Sequence, residues 1–340
     1  MRDLWIAGFP SCYGGADTEL DHNIDLWRKH GAEVHLVPMF GYDEKMRGLC
    51  LARGCHVHTY HPCIFKDRIV ASWCNGDFLS RLPEIMQHGR PALTIWFNCM
   101  TWHFDRELEA HKNGWIDLFG FVSAYQRGML TPKLEKIGPV AALEGYRPYF
   151  NRDNKSQRLE FSYREPQEKF VMGRVSRDDG NKFSADMWRI FDKVCSPRPT
   201  KTLILGYGDN ARVKTGPPPA GLDHQTWPAG GLPVKEFYEQ LHVLIHKTGG
   251  SRESFGRVVL EAYASGVPVI VENNYAFPDL VVQGVTGFLC RNSDEMSFAA
   301  SILAFDEAKR KRMLEAGHEF LLNELADDER CWKPWKKILD

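Results

Sequence analysis

Ser251-Arg-Glu-Ser-Phe-Gly-Arg-Val-Val-Leu-Glu-Ala-Tyr-Ala-Ser-Gly-Val-Pro-Val-Ile270 decides how this chain folds. It reads as a loop, a short helix and a buried strand in quick succession. Ser254 has the side chain of a helix N-cap, Gly266 stops the helix, and Val267–Val271 is a compact apolar run. With a rise of about 1.5 Å per residue, Glu261 is expected roughly 9–10 Å along the axis, about two turns in, while Glu253 stands at the mouth. Between them the backbone N–H groups of Phe255 and Gly256 are placed to open an anion site. Carboxylate, anion site and carboxylate suit a sugar, a diphosphate and a ribose in turn.

A second polar segment, Gly173-Arg-Val-Ser-Arg-Asp-Asp-Gly-Asn-Lys182, follows the apolar run Lys169–Gly173. Arg174 and Lys182, with Arg177 nearby, are read either as solvated surface cations or as fixed charges for an anion. Together the two segments resemble the retaining GT-B glycosyltransferases of family four, with Glu253 and Glu261 matching that family's Glu-x7-Glu. The likeness extends through Ala262–Ile270, into Gly284-Val-Thr-Gly-Phe-Leu289, and over the Gly-Arg…Gly-x-Lys pattern of residues 173–182. It is good over residues 169–290 and faint over 1–150.

The resemblance implies two Rossmann-like α/β domains facing a cleft, and a nucleotide-diphosphate sugar as donor. It implies that Glu253 holds donor-sugar hydroxyls, Glu261 the ribose, and Arg174 with Lys182 the diphosphate. Ser254, Phe255 and Gly256, with Gly14 and Gly15 in the first strand-to-helix loop, are the further donor-binding positions. The Gly14-Gly15 pair alone reads equally as a tight turn needing positive φ. His103, after an apolar strand, matches the histidine that lies near the reacting sugar in such enzymes; the alternative is a histidine packed at a helix start. Domain closure would then exclude water.

Strand and helix signals alternate along the whole chain, which argues for doubly wound, mostly parallel sheets. Strands are expected at 3–8, 33–37, 68–72, 92–97, 118–122 and 140–143, then at 169–173, 202–206, 242–246 and 267–271. Helices are expected at 18–30, 104–112 and 124–134. The division is a first domain over 1–150, a polar linker over 151–168 and a donor domain over 169–325. The tail 326–340, with Trp332, Trp335 and Ile338 at helical spacing, is expected to cross back onto the first domain. Lys214–Gly231, rich in Pro and Gly, reads as a long surface loop.

With 43 Lys and Arg against 44 Asp and Glu, the formal charge of -1 gives no general pull toward nucleic acid or an anionic membrane. No run is apolar enough to span a membrane, and residues 1–13 are too short and charged for a signal peptide. Nine cysteines without a regular framework indicate reduced thiols and a cytoplasmic setting. Cys50, Cys55, His56, His58, His61 and Cys63 form a dense Cys/His cluster, but their spacing matches none of the paired zinc forms, so no metal is assigned. No Asp-x-Asp occurs in the sequence, in keeping with Arg and Lys rather than a divalent ion on the diphosphate.

The expected reaction is metal-independent sugar transfer, with retention, to an acceptor hydroxyl of a glycan, a small molecule or nucleic acid. A transferase acting on a hydroxymethylated DNA base, a nucleotide-sugar epimerase and a non-catalytic nucleotide-sugar binding module are the alternatives.

Overall fold

The computed structural model describes residues 3–11, 14–165 and 168–340. Pro166 and Gln167, within the expected linker, lie outside the described residues, as do Cys12 and Tyr13. The chain divides into two compact units, Met1–Ser156 with Leu325–Asp340, and Gln157–Glu324.

Strands of the first unit are β1 (Leu4–Ala7), β2 (Val34–Val37), β3 (His56–Val57), β4 (Ile69–Trp73), β5 (Leu93–Phe97) and β6 (Leu118–Gly120). They pair in the order β3-β2-β1-β4-β5-β6, all parallel. The helices between them are α1 (Gly15–Lys29), α2 (Glu44–Ala52), α3 (Gly76–His88), α4 (Asp105–Lys112) and α5 (Ala124–Glu135). Central strands such as Leu4-Trp-Ile-Ala7 are buried along their whole length, as a sheet covered on both faces requires. The expected strand over 140–143 is reduced to one bridge, Phe119 to Ala142. Phe119 alone spans it, accepting from Leu143 N–H and donating to Ala141 C=O, both at 2.9 Å.

The C-terminal helix Asp328–Leu339 packs within this first unit. Trp335 is fully buried, with its ring 4.9 Å from Trp27 and 5.8 Å from Phe97, and Trp332 stacks on His30 at 4.7 Å.

The second unit holds β7 (Phe170–Val175), β8 (Thr200–Leu205), β9 (His224–Trp227), β10 (Val243–His246), β11 (Val269–Glu272) and β12 (Gly287–Cys290). Their order, β12-β11-β10-β7-β8-β9, is again wholly parallel. Its helices are α6 (Met187–Asp192), α7 (Asp209–Thr215), α8 (Val234–Tyr238), α9 (Arg257–Ala264), α10 (Phe277–Leu280), α11 (Ser293–Phe305) and α12 (Glu307–Phe320). The segment 214–231 is therefore not one loop, because β9 lies in its middle and pairs with β8 from Thr202–His224 to Leu205–Trp227. It is an edge strand of polar residues with His224 and Gln225 exposed, so it lacks the apolar alternation that marks a strand in sequence.

In each sheet the chain leaves the two central strands toward opposite sides, β1 beside β4 and β7 beside β10. The carboxyl ends of strands at such a switch are where open α/β sheets bind ligands.

Candidate active site

The carboxyl ends of β7, β10 and β11 gather the charged residues of the second unit. Arg174 is next to last in β7 and only 1% exposed. Its Nη2 donates to the Lys182 carbonyl and its guanidinium lies 4.7 Å over the Phe183 ring. Its Nε and Nη1 have no hydrogen-bond partner among the described residues. Burial pushes this arginine down to about 10, against the opposing pull of Glu253 and Glu272, so it remains a cation at neutral pH.

Lys182 reaches the same place from a short 3-10 turn, Gly180–Lys182, capped by Asp179, whose carboxylate accepts from Asn181 N–H at 2.9 Å. Its ammonium is paired with Glu253, and the two side chains are 17% and 13% exposed. Seventy-one residues separate the partners, and a backbone contact joins their loops. Gly249 and Ser251 N–H both donate to Asn181 C=O at 2.9 Å. Gly249 permits this approach, since a Cβ there would fall 1.8 Å from the Phe183 carbonyl oxygen.

Ser254 does not cap the following helix. Gly256 does, at φ 102°, and α9 begins at Arg257. Glycine is required by that left-handed backbone and by space, because a Cβ would meet Phe277 at 2.9 Å. Glu261 consequently lies about one turn into the helix rather than two, roughly 6 Å from its first residue. Tyr238 Oη donates to the Glu261 carboxylate at 3.1 Å. Burial raises the Glu261 carboxyl, while Arg257, Tyr238 and Gln157 draw it back down. Ser254, Phe255 and Gly256 form the approach to this helix, between the two glutamates.

Three further residues of the site carry no sequence motif. Glu272, last in β11, accepts from Thr248 N–H at 2.8 Å and from Thr248 Oγ1 at 2.7 Å, and burial raises its pKa. Lys247 donates to Asp186 at 3.1 Å and to Ser293 at 2.8 Å. His246, last in β10, is held well below the usual histidine range by burial and by Arg174 and Lys182, so it is neutral beside them. Each stands at or just past a strand end, and that position was the available signal.

The remaining sequence-derived residues sit in the first unit. Gly14 precedes α1 at φ 87° and Gly15 opens the helix. Thr18 N–H and Oγ1 donate to Gly14 C=O at 3.1 and 2.9 Å. His103 is 5% exposed in its side chain, with Nε2 at 3.1 Å from Leu130 C=O and Nδ1 at 3.4 Å from Glu107. The ring thus bridges the start of α4 to α5. The structure brings Arg174, Lys182 and Glu253 together and sets Glu261 on the adjoining helix.

The Cys/His cluster does not form a single donor set. Burial lifts the Cys50 thiol to about 11 and Cys55 to about 12, Cys63 is exposed, and His61 accepts from Cys63 N–H at 3.3 Å. Gly206 and Tyr207 N–H both donate to Trp227 C=O at 2.8 Å, so the Gly206-Tyr-Gly208 turn closes onto β9.

Two Rossmann-like units, each with a parallel six-stranded sheet, define a protein of the GT-B fold. Residues 155–320 match the family described as Glycosyl transferases group 1. The chain is 36% identical over 92 residues to the capsular polysaccharide biosynthesis glycosyltransferase CapM of Staphylococcus aureus, covering 26% of this chain and 24% of that one. It is 35% identical over 80 residues to the N-acetyl-alpha-D-glucosaminyl L-malate synthase of Bacillus anthracis, covering 23% and 21%. The matched stretches thus span under a quarter of these relatives' length. Among solved structures, Anabaena Alr3699/HepE in complex with UDP-glucose superposes with a TM-score of 0.72 at 15% identity, over 99% of both chains.

Proposed function

We propose that this protein is a glycosyltransferase that moves a sugar from a nucleotide-diphosphate donor to an acceptor hydroxyl, with retained anomeric configuration and no metal. The observation that carries this reading is the buried Arg174, with two unpartnered nitrogens, beside the Lys182–Glu253 pair. In glycosyl transfer the bond from the anomeric carbon to the diphosphate oxygen breaks, and negative charge grows on that oxygen. A fixed cation already stripped of water strengthens as that charge develops, which lowers the barrier more than it tightens ground-state binding. Arg174 has that character, and Lys182 adds a second cation once it exchanges Glu253 for phosphate.

Glu253 then orients donor-sugar hydroxyls and Glu261 the ribose, while Ser254, Phe255, Gly256, Gly14 and Gly15 offer donors to the donor's polar atoms. The acceptor oxygen attacks on the face that the diphosphate leaves. Its proton passes to the departing phosphate oxygen, so no side chain acts as a nucleophile. His103, engaged by Leu130 and Glu107, is assigned a positioning role. The UDP-glucose complex of the Anabaena protein supports a UDP-sugar as the first donor to try. No described helix is long and apolar enough to cross a membrane. All eight described cysteines are free thiols, which supports a reducing, cytoplasmic setting.

The test is turnover of UDP-glucose with glycan and small-molecule acceptors in the presence of EDTA, reading UDP release and the product's anomeric proton by NMR. The expected outcome is a retained configuration and a rate that EDTA leaves unchanged. Nucleotide-sugar binding without turnover on any acceptor would point to the binding module instead.

A further inference from the structure

The amino edge of the first unit's sheet gathers a second set of polar side chains, at the opposite end of the strands from Gly14 and Gly15. Asp3 precedes β1, Glu33 precedes β2 and His56 opens β3. The parallel register sets Trp5 beside His35 and His35 beside His56, so these side chains share one face, and His58, two residues past His56, joins them. The rings stack, Trp5 on His35 at 4.2 Å and His35 on His56 at 4.7 Å. Arg68 covers the Trp5 ring at 3.5 Å.

His35 is the centre of the group. Its Nδ1 lies 2.9 Å from His58 Nε2. Its Nε2 is buried without a hydrogen-bond partner among the described residues, facing Asp3 at 3.7 Å and Glu33 at 3.9 Å. One ligand atom each from Glu33, His35 and His56 falls within 4.8 Å of the others.

We propose that Glu33, His35 and His56 bind a divalent transition-metal ion of the zinc type, with His58 fixing the His35 ring. Carboxylate is a hard donor, but imidazole is a borderline one, and two imidazoles in the set suit zinc, nickel or copper rather than calcium or magnesium. A ligating histidine commonly donates its other N–H to a neighbour, which fixes its tautomer and orientation. His58 is placed to accept that bond from His35 Nδ1, leaving the Nε2 lone pair directed at the two carboxylates. A tetrahedron with bonds of about 2.0–2.1 Å needs ligand atoms about 3.4 Å apart. Glu33 and His56 are exposed, so a side-chain rotation that takes His56 out of its stack on His35 would close that gap, with Asp3 or water completing the shell. The consequence would be structural: β3 has two residues, and a metal joining it to the start of β2 would clip this edge strand to the sheet.

The experiment is calorimetric titration of metal-stripped, tag-free protein with Zn2+, paired with visible absorption of the Co2+ form. Wild type is expected to bind one equivalent, with a Co2+ spectrum free of thiolate charge-transfer bands and a raised melting temperature. The Glu33→Gln, His56→Gln double variant changes two exposed side chains and should lose affinity by at least about tenfold, and His58→Gln by about tenfold through the outer contact. Cys63→Ser should bind as wild type does. Unchanged Zn2+ affinity in the double variant, a thiolate band in the Co2+ spectrum, or no saturable binding by wild type each overturns the site.

Discussion

The two units build the same kind of sheet, and each buries a charge near the carboxyl ends of its strands, but they treat that charge in opposite ways. In the first unit Glu19, on α1 and 2% exposed, accepts from Trp73 Nε1 at 3.1 Å and Tyr146 Oη at 2.5 Å. Asn23 donates in turn to the Tyr146 oxygen at 3.2 Å. In the second unit Arg174, equally buried, has two nitrogens with no such partner. Hydrogen bonds from its own fold offset part of the cost of a buried charged group and specify packing, whereas a group left partly unpaired is costly unless something else uses it. On the proposed function, the difference separates an architectural charge from one reserved for chemistry.

Replacing both charges by apolar residues of similar size should break the comparison most visibly. Arg174→Met removes an incompletely paired cation, so the melting temperature should hold or rise while turnover falls by about 100-fold or more. Nucleotide affinity should change much less. A drop in stability with turnover intact would make Arg174 the architectural one. Glu19→Leu should do the reverse, stranding the Trp73 and Tyr146 donors at a cost of about 3 kcal/mol in chemical denaturation, whereas Glu19→Gln keeps both acceptor contacts and should lose less.

A smaller effect is one of pH. His242 Nδ1 accepts from Val171 N–H at 2.8 Å, and burial with Arg310 nearby lowers this histidine to about 4. The unfolded chain, with an ordinary histidine, takes up a proton that the folded chain refuses. The stability present above about pH 6.5 is therefore lost as pH falls toward 4, by about 2 kcal/mol at pH 5 from this residue. His242→Asn keeps an acceptor for Val171 and should flatten the melting curve between pH 7 and 5; an unchanged slope would remove His242 from the account. Smallest of all, Glu261→Ala should weaken binding of the nucleoside diphosphate by about tenfold in calorimetry, through loss of one charged hydrogen bond. Wild-type affinity in that variant would reassign the ribose contact.

How much of this was legible in the sequence follows the same division. Gly266 and the apolar run after it marked the end of α9 and the start of β11 closely, because a stop signal and a buried parallel strand are both local properties. The start of α9 was misplaced by reading Ser254 as the cap, since the left-handed Gly256 is set by Phe277 packing against it, a contact distant in sequence. β9 was unreadable because an edge strand with exposed polar residues at its start carries no apolar alternation, and its place is set by pairing with β8. Glu253 and Lys182 could be listed as charges, yet their pairing depends on Gly249 lying against the Phe183 carbonyl. Glu19, Glu272 and His35 carried no motif, and their meaning comes entirely from what surrounds them.

The most direct measurement is a crystal structure with UDP bound, since the central claim is that the incompletely paired cation of the second unit receives the diphosphate. The account predicts phosphate oxygens within hydrogen-bond distance of Arg174 Nε or Nη1 and of Lys182 Nζ, with the Lys182–Glu253 pair opened. A diphosphate bound elsewhere, with that pair intact and Arg174 still buried against Phe183, would contradict it.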